Sequence, residues 1–134
     1  MRVIVCIDEK NGTMFNGRRQ SSDRLLIADI VSSANGAPVL ISPYSLPLFE
    51  KNKTAVSVFE DPLLAAEYGD ICFVEGLSLS RHSEKIEEIT LYKWNRHYPS
   101  DRWLDIDLDK FTLVSSTDLV GSSHEKITKE VWKK

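Results

Sequence analysis

The sequence predicts an α/β domain with a mainly parallel central sheet, helices on both faces and a C-terminal antiparallel hairpin; three observations predict it. The chain opens on an unbroken apolar run, Val3-Ile4-Val5-Cys6-Ile7, of the kind that forms a strand covered on both sides. Further short β-branched runs alternate with capped segments of helical period, the order that builds parallel strands joined by crossovers. The chain closes on two extended runs around Gly121, the pattern of a hairpin.

Taken in order, Arg2 to Ile7 is the first, central strand. Asp8 to Ser21 reads as a polar loop, with Asn11-Gly12 and Asn16-Gly17 as turn signals. Ser21 or Ser22 caps a helix on which Leu26, Ile27, Ile30 and Val31 recur at three and four residues, and Asn35-Gly36 ends it. Pro38 to Ile41 is a second strand, Tyr44 to Lys51 a Pro-punctuated turn or short helix, and Ala55 to Phe59 a third strand. Asp61-Pro62 has the form of an N-cap followed by a first-turn proline, opening a helix to about Tyr68. Gly69-Asp70 breaks it before a fourth strand, Ile71 to Val74; Ser83 to Glu88 reads as a helical turn and Ile89 to Trp94 as a fifth strand. Asp101 to Asp109 alternates acidic and apolar residues as an edge or surface segment, and Thr112 to Ser116 with Glu125 to Trp132 forms the hairpin.

The whole chain, 1–134, fits one domain. At 134 residues it can bury roughly two thirds of its unfolded surface, so no disulfide or metal staple is required. Hydrophobic residues at 42% and charged residues at 28% exclude a disordered or fibrous class. A net charge of −3 gives no general reason for non-specific nucleic-acid binding. Cys6 and Cys72 sit in strand-like apolar runs without a CxxC partner and read as buried small hydrophobes, so no metal site is expected. With no apolar leader and no run of 18 apolar residues, no membrane partner is expected and the cytoplasm is the default location.

The most site-like stretch is Arg18-Arg19-Gln20-Ser21-Ser22-Asp23-Arg24: three guanidinium groups and two hydroxyls before a helix N-terminus, where free N–H groups favour an anion. The alternative is that Asp23 complements the helix dipole while the arginines are solvated or pair with Asp8, Glu9 and Asp29. Gly121-Ser122-Ser123-His124-Glu125 has no Gly-x-Ser-x-Gly frame and reads as a polar turn. His82 and His97 stand alone in polar loops, which excludes a metal-dependent nuclease built on clustered histidines. Trp94 to Tyr98 interleaves aromatic and basic groups, compatible with base stacking, although the rim of a sheet has the same composition. Asp105, Asp107 and Asp109 read as a solvated edge rather than a cation site.

Three stretches resemble dihydrofolate reductase. Val3-Ile4-Val5-Cys6-Ile7-Asp8, Gly12, Asn16-Gly17, Ser22-Asp23-Arg24 and Ile27 resemble that family's first strand, mobile substrate loop and helix-opening carboxylate. Val56 to Asp61 and Asp70 to Gly76 resemble the strand, helix and strand that end in paired glycines; Ile89 to Tyr92 and Trp103 to Trp132 resemble the last strands and closing hairpin. The match covers about two thirds of the chain, shortened by about one strand between Ile41 and Ala55. It implies a dihydrofolate reductase-like fold with Asp23 as the ring-holding carboxylate and Tyr92 beside it across a pocket, both as candidate catalytic residues. Burial in such a cleft would raise the carboxyl pKa and suit it to acid or base work. Arg18, Arg19, Gln20, Ser22, Arg24 and Ile7 are the ligand-contacting candidates.

The departures matter as much. Ser42-Pro43-Tyr44-Ser45 stands where the family has Gly-Arg-x-Thr opening the phosphate-binding helix, Glu75-Gly76 stands in place of two glycines, and Arg18-Arg19-Gln20 in place of a Pro-Trp pair. A glutamate adds a side chain and a negative charge where a pyrophosphate would lie, so NADPH is not expected and no cofactor is predicted. The expectation is a binding protein for a small anionic, nucleotide-like or pterin-like ligand, without reductase activity. The alternatives are an enzyme on a nucleotide or phosphorylated substrate, using Asp23 and the arginines, and, on weaker signals, an RNA-contacting module.

Overall fold

The computed structural model describes all residues, 1–134. Ten strands form two sheets: β1 Arg2–Ile7, β2 Gly12–Phe15, β3 Arg18–Arg19, β4 Val39–Ile41, β5 Val56–Val58, β6 Ile71–Phe73, β7 Glu88–Lys93, β8 Arg102–Trp103, β9 Thr112–Leu119 and β10 Ile127–Lys133. The main sheet has seven strands in the order β5-β4-β6-β1-β7-β10-β9. The first five in that order run parallel; β10 pairs antiparallel with both β7 and β9. This is the mainly parallel α/β sheet with an antiparallel closing hairpin that the sequence predicts.

Two apolar layers flank the sheet. Because successive strand residues point to opposite faces, Val3, Val5 and Ile7 of β1 pack on one side with Leu63, Leu79, Ile86 and Phe111. Ile4 packs on the other with Leu26, Ile27 and Ile30 of helix α1, Arg24–Ser33, and with Phe49. Phe49 belongs to a kinked 3₁₀ segment, Pro43–Ala55, which Pro47 keeps from becoming a regular helix, and its ring meets Phe73 edge-on at 5.6 Å. Helix α2 is a single turn, Pro62–Ala65, capped by Asp61. It stops short of the predicted Tyr68, whose side chain is exposed and has nothing to pack against.

Several boundaries differ from the sequence reading. The stretch expected to be a plain loop contains the β2–β3 hairpin, whose two turn residues, Asn16 and Gly17, both have positive φ, 52° and 70°. That is the backbone a two-residue hairpin requires. With β8 these strands form a small three-stranded sheet, so Arg102 and Trp103 are paired rather than a free edge. The helix cap is Asp23, not Ser21 or Ser22. The 3₁₀ turn near residue 83 runs Ser80–Lys85, and another, Leu108–Lys110, precedes β9. No helix is long and apolar enough to cross a membrane.

Candidate functional site

In open α/β sheets, ligands sit outside the carboxyl ends of the parallel strands. Here the loops leaving β1 and β6 meet over those ends, together with α1 and the Pro43–Ala55 segment. The chain leaving β1 is turned at once by Asp8, 2% exposed, whose carboxylate accepts the backbone N–H groups of Lys10, Gly12 and Tyr98 at 2.9, 2.8 and 3.1 Å. Burial acts to raise its pKa, but those donors prevail and hold it below the ordinary aspartate value. The β2–β3 hairpin then carries Arg19 and Gln20 back across the strand ends.

Arg19 faces Glu75, at the end of β6, through two hydrogen bonds of 2.8 and 3.0 Å, and its guanidinium lies 4.4 Å from the ring centre of Tyr44. Glu75 also accepts the Ser45 hydroxyl at 2.8 Å. Paired donors to a carboxylate make a strong, geometrically defined contact. Gln20 directs its amide N–H groups to Ser100 Oγ and the Pro99 carbonyl at 2.6 and 3.2 Å. Its Oε1 is the one buried side-chain polar atom in the protein without a partner.

Asp23, 3% exposed, is the densest node. Four backbone N–H groups donate to it: Leu25 and Leu26 of α1 at 3.0 and 3.1 Å, and Ser122 and Ser123 of the β9–β10 loop at 3.0 and 2.9 Å. The hydroxyls of Ser122 and Ser123 and Nδ1 of His124 lie within a further 3.2 Å. Burial would raise its pKa; the donors from Ser122, Ser123, His124 and Leu26 outweigh that and hold the carboxyl far below the usual range. This is opposite in sign to the expectation of a raised pKa, and an acid that stays ionised is no proton donor near neutrality. The carboxylate instead ties the start of α1 to the closing hairpin. A Cβ at Gly121 would collide with Asp23 Oδ2 and approach Ile127 Cδ1 to 2.9 Å. Gly121→Ala is therefore expected to cost about 1–3 kcal/mol, read as a lowered melting temperature.

His124 is the residue of this cluster that the sequence reading left out. Expected in a polar turn, it is 4% exposed and stacks on Trp94, ring centres 4.5 Å apart and planes 27° from parallel. Its Nδ1 is 3.1 Å from Asp23 Oδ2; its Nε2 is 3.2 Å from Ser21 Oγ and 3.1 Å from the Tyr98 hydroxyl. Only the Ser-His dipeptide hinted at this; the Ser123 hydroxyl lies 3.0 Å from Nδ1.

Two neighbouring hollows adjoin these groups. An inner cavity of about 20 Å³ is walled by residues that include Cys6, Arg19, Gln20, Ser21, Asp23 and Trp94. An outer cleft of about 270 Å³ opens between α1 and the Pro43–Ala55 segment, with Arg24, Lys51 and Asn52 on its walls. Ser22, Asp23, Ile27 and Leu48 line both.

The remaining candidates fall in different places. Ile7 is fully buried in the opposite apolar layer; its neighbour Cys6 faces the cavity instead, its thiol pKa raised by burial and then by Glu75. Tyr92 does not approach Asp23. Its hydroxyl donates to Asp29 at 2.6 Å, and burial, followed by that carboxylate, raises its pKa strongly. The three arginines do not converge: Arg18 is exposed on β3, Arg19 is paired with Glu75, and Arg24 lies on the outer cleft. Ser22 lines both hollows. Trp94, 3% exposed, has no face for a nucleotide base, and Tyr98 is turned toward His124. Asp105, Asp107 and Asp109 are exposed, as the sequence suggests, but Asp105 also accepts Ser78 Oγ at 2.6 Å and the Leu79 N–H at 2.8 Å, and Asp107 caps Asp109.

No protein-family model matches the sequence, and no curated protein matches it. The fold does match known structures. A solved dihydrofolate reductase from Enterococcus faecalis, complexed with NADP(H) and RAB-propyl, aligns with a TM-score of 0.66 over 98% of this chain and 94% of that chain, at 11% sequence identity. The chain has a dihydrofolate reductase-like fold.

Proposed function

We propose that the protein binds a small molecule in the cleft between α1 and the Pro43–Ala55 segment, and that it has no NADPH-dependent reductase activity. The observation that carries the binding reading is the pair of hollows over the strand ends, an inner cavity and an outer cleft that share Ser22, Asp23, Ile27 and Leu48 as walls. The outer cleft, near 270 Å³, is just below the usual range of ligand pockets, which suits a single ring system. Arg24 and Lys51 share its walls with Glu50 and Asp23; Glu50 pairs with Lys53 at 3.1 Å and Asp23 is taken up by backbone donors, which leaves the two cations to meet an anionic substituent. A nucleotide-like or pterin-like compound combines a ring bearing N–H donors with such a group.

The groups around Glu75 argue against a dinucleotide. Its carboxylate is already paired with Arg19 and adds a side chain where a pyrophosphate would lie, and further along the chain the Leu79 N–H with the Ser78 and Ser80 hydroxyls already holds the carboxylate of Asp105. Arg102 donates to the Gly76 carbonyl at 2.8 Å, so its charge too is engaged within the chain.

A thermal-shift screen against pterins, folates, nucleotides and sugar phosphates tests the reading. A true ligand at a hundred times its dissociation constant adds about 2.7 kcal/mol to stability. The shift should shrink in Arg24→Ala and Lys51→Ala, both surface changes. A screen in which nothing raises the melting temperature contradicts the binding reading, and turnover of dihydrofolate with NADPH contradicts the other half.

A further inference from the structure

We propose that Ser21 is a nucleophile activated by His124, with Asp23 as its positioning residue, and that the cleft carries out acyl transfer from small esters. Ser21 Oγ stands 3.2 Å from His124 Nε2, and His124 Nδ1 stands 3.1 Å from Asp23 Oδ2, three residues brought together across about a hundred positions of chain. A nucleophile within reach of a base, and a base oriented by a third group, is the arrangement such chemistry requires. An ionised carboxylate at Nδ1 selects the tautomer with its proton there, leaving the Nε2 lone pair for a hydroxyl. Stacking on Trp94 fixes the ring plane.

A purely structural role does not account for the outer edge of this ring. The β9–β10 loop is already held by the Ser122 and Ser123 backbone N–H groups on Asp23. Nε2 nevertheless faces two hydroxyls. Of these, only Ser21 lines the cavity; the Tyr98 hydroxyl, 3.1 Å from Nε2, does not. The backbone N–H groups of Ser21 and Ser22 have no acceptor within the chain, so donors for a developing oxyanion lie beside the nucleophile.

The step balances without a cofactor. Ser21 Oγ bonds to the ester carbonyl carbon as its proton passes to Nε2. The bond to the alcohol oxygen then breaks and takes that proton, leaving an acyl-serine. Water attacks this intermediate, gives one proton to Nε2 and thence to Oγ, and releases the carboxylic acid. An inner cavity near 20 Å³ has room for about one water molecule, so the ester meets Ser21 from the open side of this half-buried residue. Arg24 and Lys51 on the outer walls suit an alcohol that carries an anion, and for this choice of alcohol alone the proposal rests on the cleft reading above.

The test is p-nitrophenyl acetate with the full chain. The expected result is acetylation located on Ser21 by peptide mass, with p-nitrophenol released about a hundred times faster than from Ser21→Ala. His124→Gln should fall to the Ser21→Ala rate and lose the wild-type pH profile, and Tyr98→Phe should retain acetylation. If His124→Gln fails to fold, Ser21→Ala and Ser21→Cys, at the cavity wall, decide the matter. Equal rates in wild type and Ser21→Ala, or acetyl groups only on lysines, overturn the proposal. Acetylated Ser21 with no hit in the thermal-shift screen would remove the cleft reading and keep this one; hits with unmodified Ser21 would do the reverse.

Discussion

Asp23→Ala is expected to destabilise the protein by about 3–5 kcal/mol, the cost of removing one side of a buried charged network and leaving the other side without its partner. Four backbone N–H groups from two distant segments lose their acceptor at once. Against a typical total of about 5–15 kcal/mol, that is a large fraction. Urea denaturation should show the midpoint falling sharply. Asp23→Asn keeps the shape but turns one acceptor into a donor aimed at other donors, and should lose nearly as much. The same residue governs acid stability. Its folded pKa lies below the unfolded value of about 3.9, so the folded form binds fewer protons and its contribution is complete above that value. The contribution drains away as the pH falls below about 5 toward the depressed folded pKa; Asp8 and Asp105 are shifted in the same direction. Wild-type stability should therefore drop on acidification more steeply than that of Asp23→Asn.

Arg19→Ala is the second large effect, about 2–3 kcal/mol. Glu75 is only about one tenth exposed and would keep a single partner, the Ser45 hydroxyl. The partial exposure of Arg19 puts the expectation below that for a fully buried pair. Since the stranded carboxylate is the main cost, Arg19→Ala with Glu75→Gly should recover most of the loss, a coupling that a double-mutant cycle reads directly. A loss under about 0.5 kcal/mol in the single variant would mean that the pair does not hold the hairpin over the strand ends.

The scaffold was legible where periodicity is strong. The first strand, α1 and the last two strands follow from apolar runs and three-to-four spacing, and Asp61-Pro62 marked the start of α2. The β2–β3 hairpin was not, because strands of four and two residues are too short to show a period, although Asn16-Gly17 announced its turn. Choosing Ile7 over Cys6 for the cleft has a simple cause. A strand covered on both faces is apolar at every position, so the sequence does not reveal which parity faces the ligand side.

Asp23 has a pKa shifted in the sense opposite to the expectation: a carboxylate in a cleft has its pKa raised by burial only when few donors reach it, and beside the helix N–H groups of Leu25 and Leu26 the donors here include Ser122, Ser123 and His124, about a hundred positions away. Tyr92 was misassigned for a related reason, since Asp29, six residues further along than Asp23, accepts its hydroxyl. His124 could not be reached from spacing at all. It becomes part of the site only when the closing hairpin lies against the start of α1, a contact that the bonds to Asp23 themselves create.

The most direct test of that network is a carbon-detected NMR titration of the Asp23 side-chain carboxyl in the intact chain. A carboxyl that stays ionised until well below the ordinary aspartate midpoint of about 3.9, with the Ser122 and Ser123 amide shifts moving only as it protonates, is the predicted result. A midpoint at or above that value would contradict it, and would return Asp23 to the role of a cleft acid.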